Sequence, residues 1–134
     1  MESIAPKVSV VIPVYNDIAR LERCLEALAG QTYPAGDFEV IVIDNASTDD
    51  IQTLVGGYSM ASYQYESKPG SYAARNKGLQ FTRGEIIAFT DSDCLPDRDW
   101  IEKGVAELEA NPEAGLIGGA IELFYINPER LTAV

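Results

Sequence analysis

The chain has 134 residues, a formal net charge of −11 and no histidine. Its length suits a single domain around one core, and its acidity argues against nucleic acid as a partner, which would demand a basic face to displace phosphate counterions. Without histidine there is no His-based zinc site and no Ser-His-Asp triad, so any acid or base must be a carboxylate, lysine, tyrosine or cysteine.

An acidic chain can still take a nucleotide, because a bound cation reverses the local field and lets carboxylates hold a diphosphate. Cys24 and Cys94 are too far apart for a local metal motif and too few for a disulfide framework, so the expected setting is the reducing cytosol, with both as small apolar side chains. No apolar run has the length of a membrane span, and Met1 to Ile4 lacks a basic leader region. The segment therefore reads as soluble and cytoplasmic, with membrane association of the intact protein left open.

Val8 to Val14 is β-branched and almost wholly apolar, which predicts a strand covered on both faces within a parallel sheet. Pro13 has no N–H for the ladder and is expected to mark where pairing ends. Tyr15, Asn16 and Asp17 form a loop that becomes a helix cap, and Ile18, Leu21, Leu25 and Leu28 then share one helical face up to Gly30. Phe38 to Ile43 predicts a second buried strand that stops at Asp44 and Asn45. Ser47, followed three places on by Asp50, predicts a capping box for a short helix carrying Ile51, Leu54, Val55 and Tyr58. Tyr63 to Glu66 alternates as a third, shorter strand. The loop from Ser67 to Gly70 leads into a helix over Ser71 to Phe81, whose Ala73, Ala74 and Gly78 allow close packing on the sheet.

The fourth apolar run, Ile86 to Phe89, ends in Thr90-Asp91-Ser92-Asp93. Read as extended backbone, it puts Asp91 and Asp93 on one side, because side chains there repeat every second residue. Two carboxylates converging at a strand end suit Mg²⁺ or Mn²⁺, which take oxygen ligands from one or two carboxylates and from substrate phosphates. The same pattern also suits an acidic turn that merely stops a buried strand. Beyond it, Pro96 and Asp97 predict a helix start, with Trp100, Ile101, Val105 and Leu108 on one face as far as Asn111 and Pro112. Gly115 to Leu123 reads as a further strand, in which Gly118 and Gly119 would admit a ligand or a bulge. Asn127, Pro128 and Glu129 predict one more helix start close to Val134. A helix begun so near the end leads us to expect a piece of a longer protein.

Strands alternating with helices imply right-handed crossovers and a three-layer α/β architecture with a mostly parallel sheet. Ligands bind such sheets outside the carboxyl ends of strands where the strand order reverses. Tyr15, Asn16, Asp44, Asn45, Asp91 and Asp93 all follow directly on buried strands, so one edge is expected to gather them.

Four blocks occur in order: Val-Ser-Val-Val-Ile-Pro-Val-Tyr-Asn from Val8, Val-Ile-Val-Ile-Asp-Asn-Ala-Ser-Thr-Asp from Val40, Gly-Ser-Tyr-Ala-Ala-Arg-Asn-Lys-Gly from Gly70, and Gly-Glu-Ile-Ile-Ala-Phe-Thr-Asp-Ser-Asp-Cys from Gly84. Together they resemble the donor half of the family 2 glycosyltransferases, inverting enzymes of the Rossmann-like GT-A fold that use nucleotide-diphosphate sugars. The resemblance implies that Pro13 and Tyr15 line the nucleoside. It makes Asp44 the base-reading acid, which would accept the N3–H of uracil through a charge-assisted bond and favour a UDP-sugar. Asp91 would face the ribose or the water shell of the cation. Asp93 would bind directly the Mg²⁺ or Mn²⁺ that bridges both phosphates and stabilises the leaving diphosphate. Lys68 and Arg75 are candidates to reach the base or phosphates, and both also suit solvated surface cations. Asn76 and Gly78 match the family block or serve turn and packing needs, and Trp100 reads as core.

An inverting transfer needs a carboxylate base for the acceptor hydroxyl, and in the family that acid belongs to a later, acceptor-binding segment. Asp97, Asp99 and Glu122 are the nearest acids here, and none matches it. The expectation is a single domain over residues 1–134, the donor-binding half of a truncated GT-A domain. Its parent would be a glycosyltransferase acting on a carbohydrate or lipid-linked acceptor. The segment alone would bind the donor, hold no catalytic residue, and associate with itself or swap between copies through uncovered apolar surface. Two rivals stand beside this reading: a non-catalytic nucleotide-sugar-binding or interaction module, and a receiver-like phospho-acceptor domain. The latter expects an acidic pair right after the first strand, where this chain has Pro13-Val14-Tyr15-Asn16.

Overall fold

The computed structural model describes residues 5–111 together with the strand backbones at 116–118 and 123–126. Strand β1 (Val8–Val14) runs into helix α1 (Ile18–Ala29), and β2 (Phe38–Asp44) into a short helix, α2 (Ile51–Val55). Next come β3 (Ala61–Tyr65), α3 (Ser71–Leu79), β4 (Ile86–Phe89), α4 (Trp100–Ala110), β5 (Leu116–Gly118) and β6 (Leu123–Ile126). The sheet order is β3-β2-β1-β4-β6-β5. The first four positions are mutually parallel, and β6 and β5 extend the sheet in antiparallel pairs. The chain thus moves outward from β1 to β3 and then returns to the other side of β1 for β4, which makes the β1–β4 boundary the place where strand order reverses.

The seven residues of β1 are all buried, as expected of a central strand packed on both faces. Val8, Val10, Ile12 and Val14 join the core cluster with Leu21, Cys24, Leu25 and Leu28 of α1, Ile51 and Val55 of α2, and Ile101, Val105 and Leu108 of α4. Val11 belongs to the opposite cluster with Ile41, Ile43, Ile87 and Ala74 of α3. Each such aliphatic side chain contributes about 1.5–3 kcal/mol when fully buried, so the double layer of contacts explains why a short chain holds a central strand. Trp100 packs half-buried against the larger cluster, as read from its spacing.

On the other face α3 approaches closely because of Gly78, where an added Cβ would stand 2.5 Å from Val11 Cγ1 and 3.2 Å from Ile43 Cγ1. The strand interior also corrects the reading of Pro13. Pairing continues through it to Val14↔Asp44 on the β2 side but stops at Val11↔Phe89 on the β4 side. Thr90 N–H bonds to Val11 C=O and Asn45 N–H to Val14 C=O, so by alternation Pro13 presents its missing donor toward β4, where the ladder has already run out.

Three helix starts differ from expectation, two of them because distant side chains supply the caps. Asp17 makes no side-chain cap bond to α1; Asp49 Oδ2 accepts the Ile18 N–H at 3.4 Å instead. Asp50 rather than Ser47 caps α2, accepting from Thr53 N–H and Oγ1. Helix α4 starts at Trp100 and not at Pro96, since Gln31 Oε1 accepts the Ile101 N–H while its Nε2 donates to Asp97 C=O. Where one strand was expected from Gly115 to Leu123 there are two, β5 and β6. Gly119, Glu122 and the expected helix start at Asn127 lie outside the described residues.

Candidate functional site

The acidic pair comes together in a turn. Strand β4 ends at Phe89, and the Cys94 N–H bonds to Asp91 C=O at 3.1 Å, closing a turn around Ser92 and Asp93. Strand alternation, the expected cause, is not what aligns these carboxylates. Ser92 Oγ donates to Asp17 Oδ2 at 3.2 Å, which ties the turn to the start of α1 across the β1–β4 boundary.

Asp44 closes β2 on the same edge and is only 3 % exposed. Burying a carboxylate is costly unless its oxygens are hydrogen-bonded, and both of them are. Oδ1 accepts the Ser47 N–H at 2.9 Å, and Oδ2 accepts the Tyr63 hydroxyl at 2.6 Å. Burial first, and then that bond to Asp44, push the Tyr63 phenol up to about 12, so it remains a donor throughout the ordinary pH range. Each carboxylate oxygen retains a further lone pair for a ligand.

The loops of this edge hold one another. Asn16, at φ 47°, donates its N–H to Ser47 Oγ, and its own Oδ1 accepts from Thr48 N–H and Oγ1. Asn45 is buried and spends its whole carboxamide on the next loop: Nδ2 donates to Glu66 C=O and Lys68 C=O, and Oδ1 accepts the Gly70 N–H. Gly70 at φ 108° then opens α3, in the left-handed region that suits glycine.

Cations and aromatics complete the rim. Arg75 Nη2 stands 2.9 Å from Asp91 Oδ1, its guanidinium carbon lies 6.0 Å from the Phe89 ring centre, and its Nε is buried without a partner among the described residues. Arg20 of α1 reaches Asp17 at 3.4 Å and Asp93 at 3.8 Å. Lys68 lies exposed in the loop pinned by Asn45. Pro13 is buried within β1, whereas Tyr15 is 64 % exposed beyond its end. Tyr15, Lys68, Asp91 and Asp93 therefore follow β1, β3 or β4 on one edge, Pro13 and Asp44 lie within the last two residues of β1 and β2, and Arg75 reaches Asp91 from α3.

Asp91, Asp93 and Cys94 offer three donor atoms all within 4.8 Å of one another. The two carboxylates fit a hard divalent cation such as Mg²⁺ or Mn²⁺, and the half-exposed Asp93 side chain presents oxygens to solvent. The buried Cys94 thiol, which leans on Asp93 Oδ1 at 3.8 Å, is a softer donor that such cations do not need.

A sequence profile described as "Glycosyl transferase family 2" matches residues 9–130. The chain belongs to glycosyltransferase family 2. Glycosyltransferase AglE of Haloferax volcanii is 41% identical to it over 132 residues, which cover 95% of this chain and 43% of that protein. Among solved structures, the mannosyltransferase PcManGT of Pyrobaculum calidifontis, in complex with GDP-Man and Mn²⁺, matches at TM-score 0.83 and 27% identity, covering 96% of this chain and 47% of the other. TarS residues 1–349 of S. aureus, in complex with UDP-GlcNAc, match at TM-score 0.71 and 29% identity, covering 79% and 32%. This family 2 chain thus spans less than half the length of each of these relatives. Its parallel α/β layers agree with the Rossmann-like fold expected from the four blocks.

Sequence reasoning passed over Tyr63, Arg20 and the bonding of Asn45 in this family 2 site. Tyr63 had a signal: Tyr63 and Tyr65 alternate on one strand, and the register Val42↔Tyr63, Asp44↔Tyr65 puts both on the face that carries Asp44. Arg20 had none, since its pairing with Asp17 is that of ordinary neighbours at the start of one helix, and Asp93, the acid of the turn, lies far away in the sequence.

Proposed function

We propose that the protein transfers a sugar from a nucleotide-diphosphate donor to an acceptor hydroxyl with inversion and with the help of a divalent cation, and that the edge described above takes the donor. The observation that carries this reading is that a buried, doubly hydrogen-bonded carboxylate, Asp44, and the Asp91–Asp93 turn, held by Arg75 of α3, lie at the carboxyl ends of β2 and β4, the two strands that flank β1 in the parallel sheet. Family membership supports the reaction type.

In this reading Pro13 and Tyr15 lie against the nucleoside, with the exposed Tyr15 ring offering a stacking face. Asp44 accepts an N–H of the base, and the two donors already on it keep it aimed. The N3–H of uracil suits a single acceptor at the floor of the cleft, which favours a UDP-sugar. Arg75 and Lys68 turn toward the phosphates. Asp91 and Asp93 hold the cation, Mg²⁺ or Mn²⁺; when bound, that ion stabilises charge on the departing diphosphate. No carboxylate among the described residues is assigned the deprotonation of the acceptor. The acceptor is a carbohydrate or a lipid-linked sugar, and the reaction is placed in the cytoplasm, where the unbridged Cys24 and Cys94 are stable as thiols.

The test is calorimetric titration of UDP, GDP and dTDP, with and without Mn²⁺, against the protein and its Asp93→Ala variant. UDP is expected to bind best and in a metal-dependent way, with a loss of roughly tenfold or more in the variant. Equal binding without metal in both proteins would remove Asp93 from the mechanism.

A further inference from the structure

Each carboxylate of the turn faces a guanidinium from a different helix. Asp91 faces Arg75 of α3 at 2.9 Å, and Asp93 faces Arg20 of α1 at 3.8 Å. Arg20 is also held from behind by Asp17 at 3.4 Å, and Asp17 in turn accepts from Ser92 within the turn. Both carboxylates of the turn therefore already face a positive charge without any metal ion, and Asp17 adds a third acid that shares Arg20. Nothing in the family resemblance or the comparisons assigns Arg20 a role.

We infer that Arg20 is the internal counter-charge of Asp93: it competes with the cation when no donor is present, and it passes to the donor's phosphates when cation and donor bind together. The inference rests on the reading above for the cation and goes beyond it in naming Arg20. A divalent ion on Asp93 puts two positive charges where the guanidinium now points, so like charges drive Arg20 away. Its long side chain is 61 % exposed and free to turn, and a guanidinium released beside a diphosphate finds oxygens that match its paired N–H groups. The arrangement makes cation and diphosphate bind with positive coupling. Each relieves a cost that the other would meet alone, and by linkage the effect is reciprocal.

The experiment measures Mn²⁺ affinity of the full-length protein by electron paramagnetic resonance or calorimetry, with and without UDP, for wild type, Arg20→Gln, Arg20→Lys and Asp93→Ala. Without UDP, Arg20→Gln is expected to bind Mn²⁺ about threefold more tightly at ~0.15 M salt, with a larger gain at low ionic strength. With UDP present it is expected to bind Mn²⁺ more weakly than wild type, so that the coupling between the two ligands falls about tenfold. Arg20→Lys, which keeps the charge but loses the fork, is expected to retain Mn²⁺ affinity near wild type and part of the coupling. If Asp93→Ala loses Mn²⁺ while Arg20→Gln leaves affinity and coupling unchanged, or shifts both Mn²⁺ affinities in the same direction, the role of Arg20 is overturned and the cation site stands. If Asp93→Ala binds Mn²⁺ as wild type does, the cation site itself is wrong and the inference falls with it.

Discussion

The Tyr63 hydroxyl donates to Asp44 Oδ2 at 2.6 Å across the β2–β3 boundary, and that carboxylate is almost wholly out of reach of water. Tyr63→Phe leaves Asp44 with one donor among the described residues, the Ser47 N–H. A hydrogen bond to a charged group contributes about 1.5–3 kcal/mol, so the variant is expected to lose about that much stability, read as a lower urea midpoint at unchanged slope. If Asp44 reads the base, the same variant also weakens UDP binding. A variant that loses stability yet binds UDP as before would detach Asp44 from the nucleotide.

Alkaline pH provides an independent check on that bond. Tyr63, and likewise Tyr58 through burial and its bond to Glu26, are pushed up to about 12. In the unfolded chain they titrate near ~10. A group whose folded pKa is raised contributes stability that is complete below its unfolded value and lost as pH climbs through the folded one. Lys7 is raised too, chiefly by its hydrogen bond to Glu85, and acts with the same sign. Urea midpoints followed across the interval from pH ~10 to ~12 should therefore fall for wild type. They should fall less steeply for the Tyr58→Phe/Tyr63→Phe double variant, and a parallel decline would refute the account.

Asn45 satisfies two carbonyls and one N–H of the loop that precedes α3. Removing its carboxamide takes these partners from the carbonyls of Glu66 and Lys68 and from the Gly70 N–H, at about 1–3 kcal/mol for each one that water cannot reach. Asn45→Ala is expected to unfold at clearly lower urea. Asn45→Asp should fare no better, because a carboxylate sets acceptor against acceptor at the carbonyls of Glu66 and Lys68. Amide exchange read residue by residue would locate the loosening at residues 66–70.

Gly78→Ala sets helix propensity against packing. Alanine is better than glycine in a helix by about 1 kcal/mol, but its Cβ would meet Val11 Cγ1 at 2.5 Å, and overpacking a core costs about 1–3 kcal/mol. The expected outcome is net destabilisation in urea. Weaker UDP binding should accompany it, because Arg75 rides on the same helix one turn earlier. A more stable Gly78→Ala protein would mean that α3 can lift from the sheet at no cost.

The strands were readable in the sequence because burial on both faces leaves an unbroken apolar run, as in Val8 to Val14 and Phe38 to Ile43, and the acids appear where each run stops. What escaped was how those polar ends are held. Asp91 and Asp93 look like alternating strand residues and are in fact joined by a turn closed through Cys94. Asp49 looks like part of a cap for α2 and instead serves α1. Asn45 looks like a turn residue and is a buried clamp. Periodicity records which side of an element faces the core, but it carries no trace of a hydrogen bond to a loop dozens of residues away.

The bonds from Thr48 to Asn16 and from Ser92 to Asp17 close over 32 and 75 residues, so the second cannot form until β4 has emerged and docked beside β1. As the chain leaves the ribosome, β1, α1 and β2 are able to assemble well before the rim of this edge has its last partner. If this edge takes a nucleotide donor as proposed, a nascent intermediate of this kind would be structured yet blind to it, and nucleotide added during synthesis could speed only the closing step.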